Sequence, residues 1–238
     1  MSDPLAVLVE LEGVASGFAA TRDGIDALLR DRGLRRTAPE LTAASLLKGA
    51  HASAVLEGSA SALERVEAGT ADETASAAVR VSIELMALAA MMQRAPMQVL
   101  ARLHTLAGKG IVDDADLGRP IQGADRMRAL AQLLTSSTGA PALLVAAVAH
   151  AEVLTAAPFA SHNGIVARAL ERILLVARGV DPTALIVPEA GHLSLRAEYE
   201  SNLRGYAIGG RQGVHSWLLY ASQAYAAGAN ASPLNPAL

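Results

Sequence analysis

Residues 150–179 read HAEVLTAAPFASHNGIVARALERILLVARG. An apolar run at helical spacing breaks at Ala157-Pro158-Phe159-Ala160-Ser161-His162-Asn163-Gly164 and resumes as a second apolar run from Ile165 to Gly179. The pattern predicts a helix, a short loop and a second helix. Within the second helix, Ile165, Ala169, Ile173 and Val176 form the expected buried stripe. Asn163-Gly164 stands at that helix's start, where unpaired backbone N–H groups and the helix dipole favour an anion. Asn-Gly pairs also serve as plain turns. On the residues alone, the loop is either an anion cradle or a connection.

Outward from this stretch, Pro141 suits the first position of a helix over Ala142–Ala156, which carries His150 and Glu152. A histidine among Ala, Val and Leu is expected to be a hydrogen-bonded core residue. Upstream, residues 41–66 read LTAASLLKGAHASAVLEGSASALERV. Leu46, Leu47, Ala50 and Ala54 recur at helical spacing, Ser53 and Glu57 lie one turn apart, and Gly58 is a suitable C-terminal stop. Between these regions, Asp72–Met92 reads as a buried central helix, Pro96–Ala107 as another, and Asp125–Leu134 as a short one. Residues 108–122, GKGIVDDADLGRPIQ, read as a loop or short β-hairpin. Their acids Asp113, Asp114 and Asp116 lack a regular ligand spacing, so no metal site is expected.

At the N-terminus, Pro4–Ala20 and Arg22–Arg32 have helical periodicity, closed by Gly33, and Arg35–Pro39 is a loop with two solvated arginines. After the turn Asp181-Pro182, Val187-Pro188-Glu189 reads as a loop, and Leu195–Tyr206 and Val214–Ala226 as two last helices. Asn230–Leu238 reads as a flexible tail. Aromatic residues are only 3% of a chain that is 52% hydrophobic, so the core must be Ala, Leu and Val, which suits closely packed helices. The fold class is all-α. A net charge of −3 gives no drive toward nucleic acid or an acidic membrane, and zero cysteines exclude disulfides and thiolate metal sites. No basic segment followed by an apolar one opens the sequence, and charges interrupt its apolar runs, so a cytoplasmic protein off the membrane is expected.

The 157–168 loop resembles the signature of the Fic/Doc family, His-x-Phe-x-(Asp/Glu)-Gly-Asn-Gly-Arg-x-x-Arg, and the likeness extends over about Leu41–Ala226. Phe159, Asn163, Gly164 and Arg168 match the signature. Ala157 stands where the family has its general base, Ser161 where it has a metal-binding acid, His162 for its first glycine and Ile165 for its first arginine. Ser53-Ala54-Val55-Leu56-Glu57-Gly58 is similar to the family's inhibitory motif, (Ser/Thr)-x-x-x-Glu-(Gly/Asn), whose glutamate pairs with the second signature arginine. The resemblance implies that Glu57 contacts Arg168, with Ser53 and Gly58 completing the inhibitory motif. Asn163, Gly164 and Arg168 are then the implied anion or nucleotide contacts, and Gly118 and Arg119 lie in the implied target-positioning flap. Tyr199, Leu203, Gly205 and Trp217 sit where Fic domains carry a Tyr…Leu…Gly…Trp pattern, with Trp217 expected as a packing anchor.

Fic enzymes transfer AMP from ATP to a protein hydroxyl. That chemistry needs a base, a metal on the phosphates and donors around the transferred group. Loss of a base alone costs roughly 10²–10⁴-fold, and here the acid and one arginine are replaced as well, which weakens the implied use of ATP and Mg²⁺. Three functions therefore stand. The first is a degenerate Fic-like regulatory or binding module with a residual anion pocket. The second is a non-canonical nucleotidyl- or phosphotransferase that uses His162 or His150 as base and is inhibited by Glu57. The third is a helical interaction or scaffold protein. Candidate partners are a target protein, a nucleotide and a second copy of the chain. The expected organisation is an N-terminal helical extension (1–40), a Fic-like domain (41–228) and the tail (229–238).

Overall fold

The computed structural model describes residues 3–31 and 39–235. The arginine loop at 35–38, Gly33 and the last residues of the tail lie outside the described part. Among the described residues there are twelve helices and no strand: α1 Ala6–Val9, α2 Val14–Asp31, α3 Pro39–Leu56, α4 Leu63–Glu67, α5 Glu73–Met91, α6 Pro96–Gly108, α7 Ala124–Thr135, α8 Ala142–Ala156, α9 Asn163–Ala177, α10 Pro188–Ser194, α11 Arg196–Ile208 and α12 Gly210–Asn230.

The centre of the molecule is the pair α8 and α9, which pack on each other around the 157–162 loop. Eleven of the fifteen α8 residues are buried, and α9 is buried continuously from Gly164 to Leu175. The expected single stripe on α9 is therefore corrected. Ile165, Ala169 and Ile173 are buried as predicted, but the rest of the perimeter is too, including Arg168, Glu171 and Arg172. Helices α3, α5 and α6 cover one side of α9, α10 joins α3 and α12, and α12 also packs on α2, α8 and α11.

Helix α3 starts at Pro39 and ends as its sequence predicts. Gly58, at φ +97°, donates its N–H to Val55 O (3.1 Å), and Ser59 N–H reaches Ala54 O (2.9 Å). These two bonds form a Schellman stop, which satisfies the terminal carbonyls and leaves Glu57 on the last turn. Helix α5 is a wall rather than the centre: Asp72 caps it through Ala75 N–H (2.9 Å), and Ile83 is 75% exposed. By length and composition it is also the one described helix apolar enough to cross a membrane, with a mean hydropathy of 1.4. Its Arg80 and Glu84 form ion pairs with Glu73 and Arg102.

Two loops are read differently by the structure. Val187-Pro188-Glu189 is the entry to α10, with Pro188 in the first turn, where its missing N–H costs nothing. Residues 109–123 form successive turns and not a hairpin. Gly118 (φ +72°) donates to His104 Nδ1 (3.0 Å), and a side chain there would approach Ala101 O and Thr105 Oγ1 to 2.8 Å. At the C-terminus α12 continues to Asn230, and Ser232 and Leu234 beyond it are buried.

Candidate functional site

Helix α3 and the residue that follows it present Ser45, Gly49, Ser53 and Glu57 at intervals of four residues, and α9 faces them with Arg168 and Arg172, also four apart. Equal spacing puts each set on one helical face, and the two faces interlock. Arg172 donates from Nη2 to Ser45 Oγ (2.5 Å) and Ala184 O (2.9 Å), and pairs with Glu189 at 3.2 Å. Gly49 leaves room for Arg172, since a Cβ there would collide with Nη1. One turn earlier on α9, Arg168 donates from Nε to Ser53 Oγ (2.9 Å) and from Nη2 to Ser53 O (2.9 Å) and Glu57 Oε2 (2.8 Å). The contact expected between Glu57 and Arg168 is thus formed. Arg168 is 2% exposed, whereas the Glu57 side chain keeps 27% of its surface.

The Glu57 carboxylate rests on Gly164 at the start of α9, where a Cβ would collide with Oε2. It therefore takes the place that a helix N-terminus and an arginine would offer to an anion. The fourth contact of Arg168 comes from the opposite side. Nη1 donates to Tyr199 Oη (3.2 Å), and that hydroxyl also meets His150 Nε2 (2.9 Å). Burial opposes the charge on Arg168, and Tyr199 and Glu57 more than restore it, so its pKa is raised. Burial also pushes the Tyr199 phenol up to about 12.

The loop before α9 is clasped by Asn163. Its Oδ1 accepts from Phe159 N–H (2.9 Å) and its Nδ2 donates to Phe159 O (2.8 Å), so both ends of the amide are spent on the backbone. His162 has φ +54°, the left-handed conformation that suits the glycine of the resembled signature. Its Nδ1 lies 2.8 Å from Ser161 Oγ. Burial, first among several causes, holds its imidazole below the usual value, and Glu57 acts in the opposite sense. Ile165 is 1% exposed and points into the core rather than toward an anion.

Ala157, also left-handed at φ +42°, ends α8 with no ionisable group. Gln122 reaches over it, donating from Nε2 to Ala157 O (2.9 Å) and Ala156 O (3.3 Å), while Ile121 N–H binds Pro158 O (2.8 Å). Phe159 stacks on His104, with ring centroids 4.3 Å apart and planes at 9°. Through Gly118 and His104, the 109–123 loop is therefore fixed to the signature loop. Arg119 of that loop is exposed, and its backbone N–H binds Asp116 O (3.1 Å).

His150 is a fully buried core residue, as expected, and Trp217 is a packing anchor that donates to Ala147 O (2.9 Å). Sequence reading missed five groups that complete the site: Ser45, Gln122, Glu171, Arg172 and His192. For Ser45 a signal existed, since its spacing to Ser53 matches two turns of helix. Glu171 and His192 meet His150 from separate helices, so no local spacing announces them.

No family sequence model matches the chain, and no curated protein matches it by sequence. Solved structures do match in fold. A Fic family protein from Desulfovibrio desulfuricans G20 superposes with a TM-score of 0.75 at 18% identity, covering 93% of this chain and 74% of that one. Fic-1 (residues 134–508) from C. elegans gives a TM-score of 0.67 at 16% identity, covering 96% of this chain and 73% of that one. A Fic-domain-containing signaling protein from Bacteroides thetaiotaomicron gives 0.63 at 13% identity, covering 93% of this chain and 99% of that one. On these superpositions, which cover more than nine tenths of it, the chain has the Fic-domain fold.

Proposed function

We propose that this protein is a regulatory or binding module on a Fic fold, with AMP transfer lost and a residual anion or nucleotide pocket closed by Glu57. The observation that carries this reading is the Glu57 carboxylate lying on Gly164 and Arg168 while Ala157 leaves the family's base position without an ionisable group. A phosphate would compete with the carboxylate for the same guanidinium and helix start. Two buried arginines anchor α3 to α9, so opening the pocket requires Glu57 to swing out on its own last turn. An ordinary Mg²⁺ site does not fit. The residue in the acid's place is Ser161, a neutral oxygen already engaged with His162, and Mg²⁺ prefers carboxylates and phosphate oxygens. The signal that the module transmits would reach a protein partner or a second copy of the chain.

A transferase with a displaced base is the second reading, favoured by His162 sitting beside Ser161 within the influence of Glu57. Intact-mass analysis after incubation with ATP, with and without Mg²⁺, separates the two. The binding-module reading expects no AMP adduct on wild type, on Glu57→Gly or on co-incubated proteins. An adduct that appears with Glu57→Gly and disappears with Glu57→Gly/His162→Ala would establish the transferase instead.

A further inference from the structure

One helical turn beyond Arg168, Glu171 points into the core, where His150 of α8 and His192 of α10 converge on it. All three residues are fully buried. Glu171 Oε2 lies 2.9 Å from His192 Nε2 and 3.1 Å from His150 Nδ1. The remaining atom of each group is held by a tyrosine hydroxyl: Tyr199 on His150 Nε2 (2.9 Å), Tyr220 on His192 Nδ1 (2.8 Å) and Tyr225 on Glu171 Oε1 (2.7 Å). The tyrosines thereby leave His150 Nδ1, His192 Nε2 and Glu171 Oε2 as the atoms that face one another, all within 4.8 Å.

We infer that His150, Glu171 and His192 form a buried divalent-metal site of the zinc class. Two imidazoles and a carboxylate are a common ligand set for Zn²⁺ and for Fe²⁺. Outer hydrogen bonds that fix each ligand's orientation are the usual companions of such sites. His150 Nδ1 supplies a second, independent indication. Although 3.1 Å from the carboxylate, it is off hydrogen-bonding alignment and has no other partner among the described residues, at a depth where unpartnered nitrogens are rare.

Charge points the same way. Arg168 is shared with Tyr199 and Glu57, and among the described residues no Lys or Arg touches the Glu171 carboxylate, whose contacts are the imidazoles of His150 and His192 and the hydroxyl of Tyr225. A buried carboxylate needs a positive partner, and a divalent ion held by two neutral imidazoles supplies one. Metal–ligand bonds of about 2.0–2.2 Å at angles near 90–110° place neighbouring ligand atoms roughly 2.9–3.5 Å apart. Both contacts to Glu171 lie in that range, and the full set lies within 4.8 Å, so closure needs His150 and His192 to approach by about 1 Å or somewhat more. Full burial makes the site structural, tying α8, α9 and α10 together behind Arg168.

The test uses the full chain, purified without a histidine tag, and elemental analysis by mass spectrometry. The expected result is about one zinc, iron or manganese per chain. Chelator treatment lowers the melting temperature, added Zn²⁺ restores it, and Co²⁺ added to the stripped protein gives visible ligand-field bands. His192→Gln and Glu171→Gln abolish the bands. Should these variants not fold, the wild-type measurements decide alone. A metal-free protein whose melting temperature is unmoved by Zn²⁺, Fe²⁺ or Mn²⁺ and that gives no Co²⁺ bands overturns the site, leaving a purely hydrogen-bonded cluster.

Discussion

Replacing Tyr199 with Phe removes a single oxygen that two buried groups share. Its ring stays packed at 4% exposure against His150, His192 and Trp217, so little apolar contact is lost. What changes is satisfaction. Arg168 Nη1 and His150 Nε2 lose a partner, at 2% and 0% exposure. An orphaned buried polar group costs about 1–3 kcal/mol, with charged groups at the upper end. Arg168 keeps Ser53 and Glu57, which caps its share near the low end. The sum is roughly 3 kcal/mol, or about 6–12 °C in melting temperature for a chain of this size. Urea denaturation at neutral pH measures it, with Tyr206→Phe as the control, because the Tyr206 hydroxyl binds only the partly exposed Glu152 (2.7 Å). A cost below about 0.5 kcal/mol for Tyr199→Phe, the range of an ordinary surface change, would refute the idea that this hydroxyl anchors Arg168 from behind.

Gly118→Ala should loosen the 109–123 loop, since both its φ of +72° and the 2.8 Å approach to Ala101 O forbid a side chain. Hydrogen exchange that rises most at residues 116–123, with a loss of stability of about 1–3 kcal/mol, is the expected outcome; an unchanged loop contradicts it. Acid should act on the same contact. Burial first, and then the facing His162, hold the His104 imidazole below its usual value, and protonation would remove the acceptor for Gly118 N–H. Because the unfolded chain binds this proton more readily, the stability contributed by neutral His104 is present above the ordinary imidazole pKa and is lost as pH falls below it. An NMR titration that places His104 at or above the usual imidazole value would contradict that sign.

The α8–loop–α9 core was legible because two apolar runs flank a Pro/Gly-bearing break, and local chemistry dictates each boundary. The end of α3 was legible for a similar reason, since Gly58 supplies the left-handed residue that a helix stop requires. The Glu57–Arg168 contact came from the resemblance to the Fic signature and inhibitory motif, since neither helix announces the other by its own spacing. The all-round burial of α9 was not legible, because a charged residue in sequence reads as a solvated face. Arg168, Glu171 and Arg172 are instead buried among partners from α3, α8, α10, α11 and α12. Helix α10 was hidden by Pro188, which reads as a loop residue unless it stands at a helix start. The 109–123 segment has the Gly and Pro of a hairpin, yet its bonds go to His104 and the signature loop.

Calorimetric titration of ATP and of inorganic pyrophosphate into wild type and Glu57→Gly, with and without Mg²⁺, tests the gated pocket most directly. The expected result is no measurable binding to wild type, and binding to Glu57→Gly that Arg168→Gln abolishes and that does not require Mg²⁺. Equal binding by both forms would mean that Glu57 closes nothing. No binding by either would mean that the Fic fold here retains no anion site.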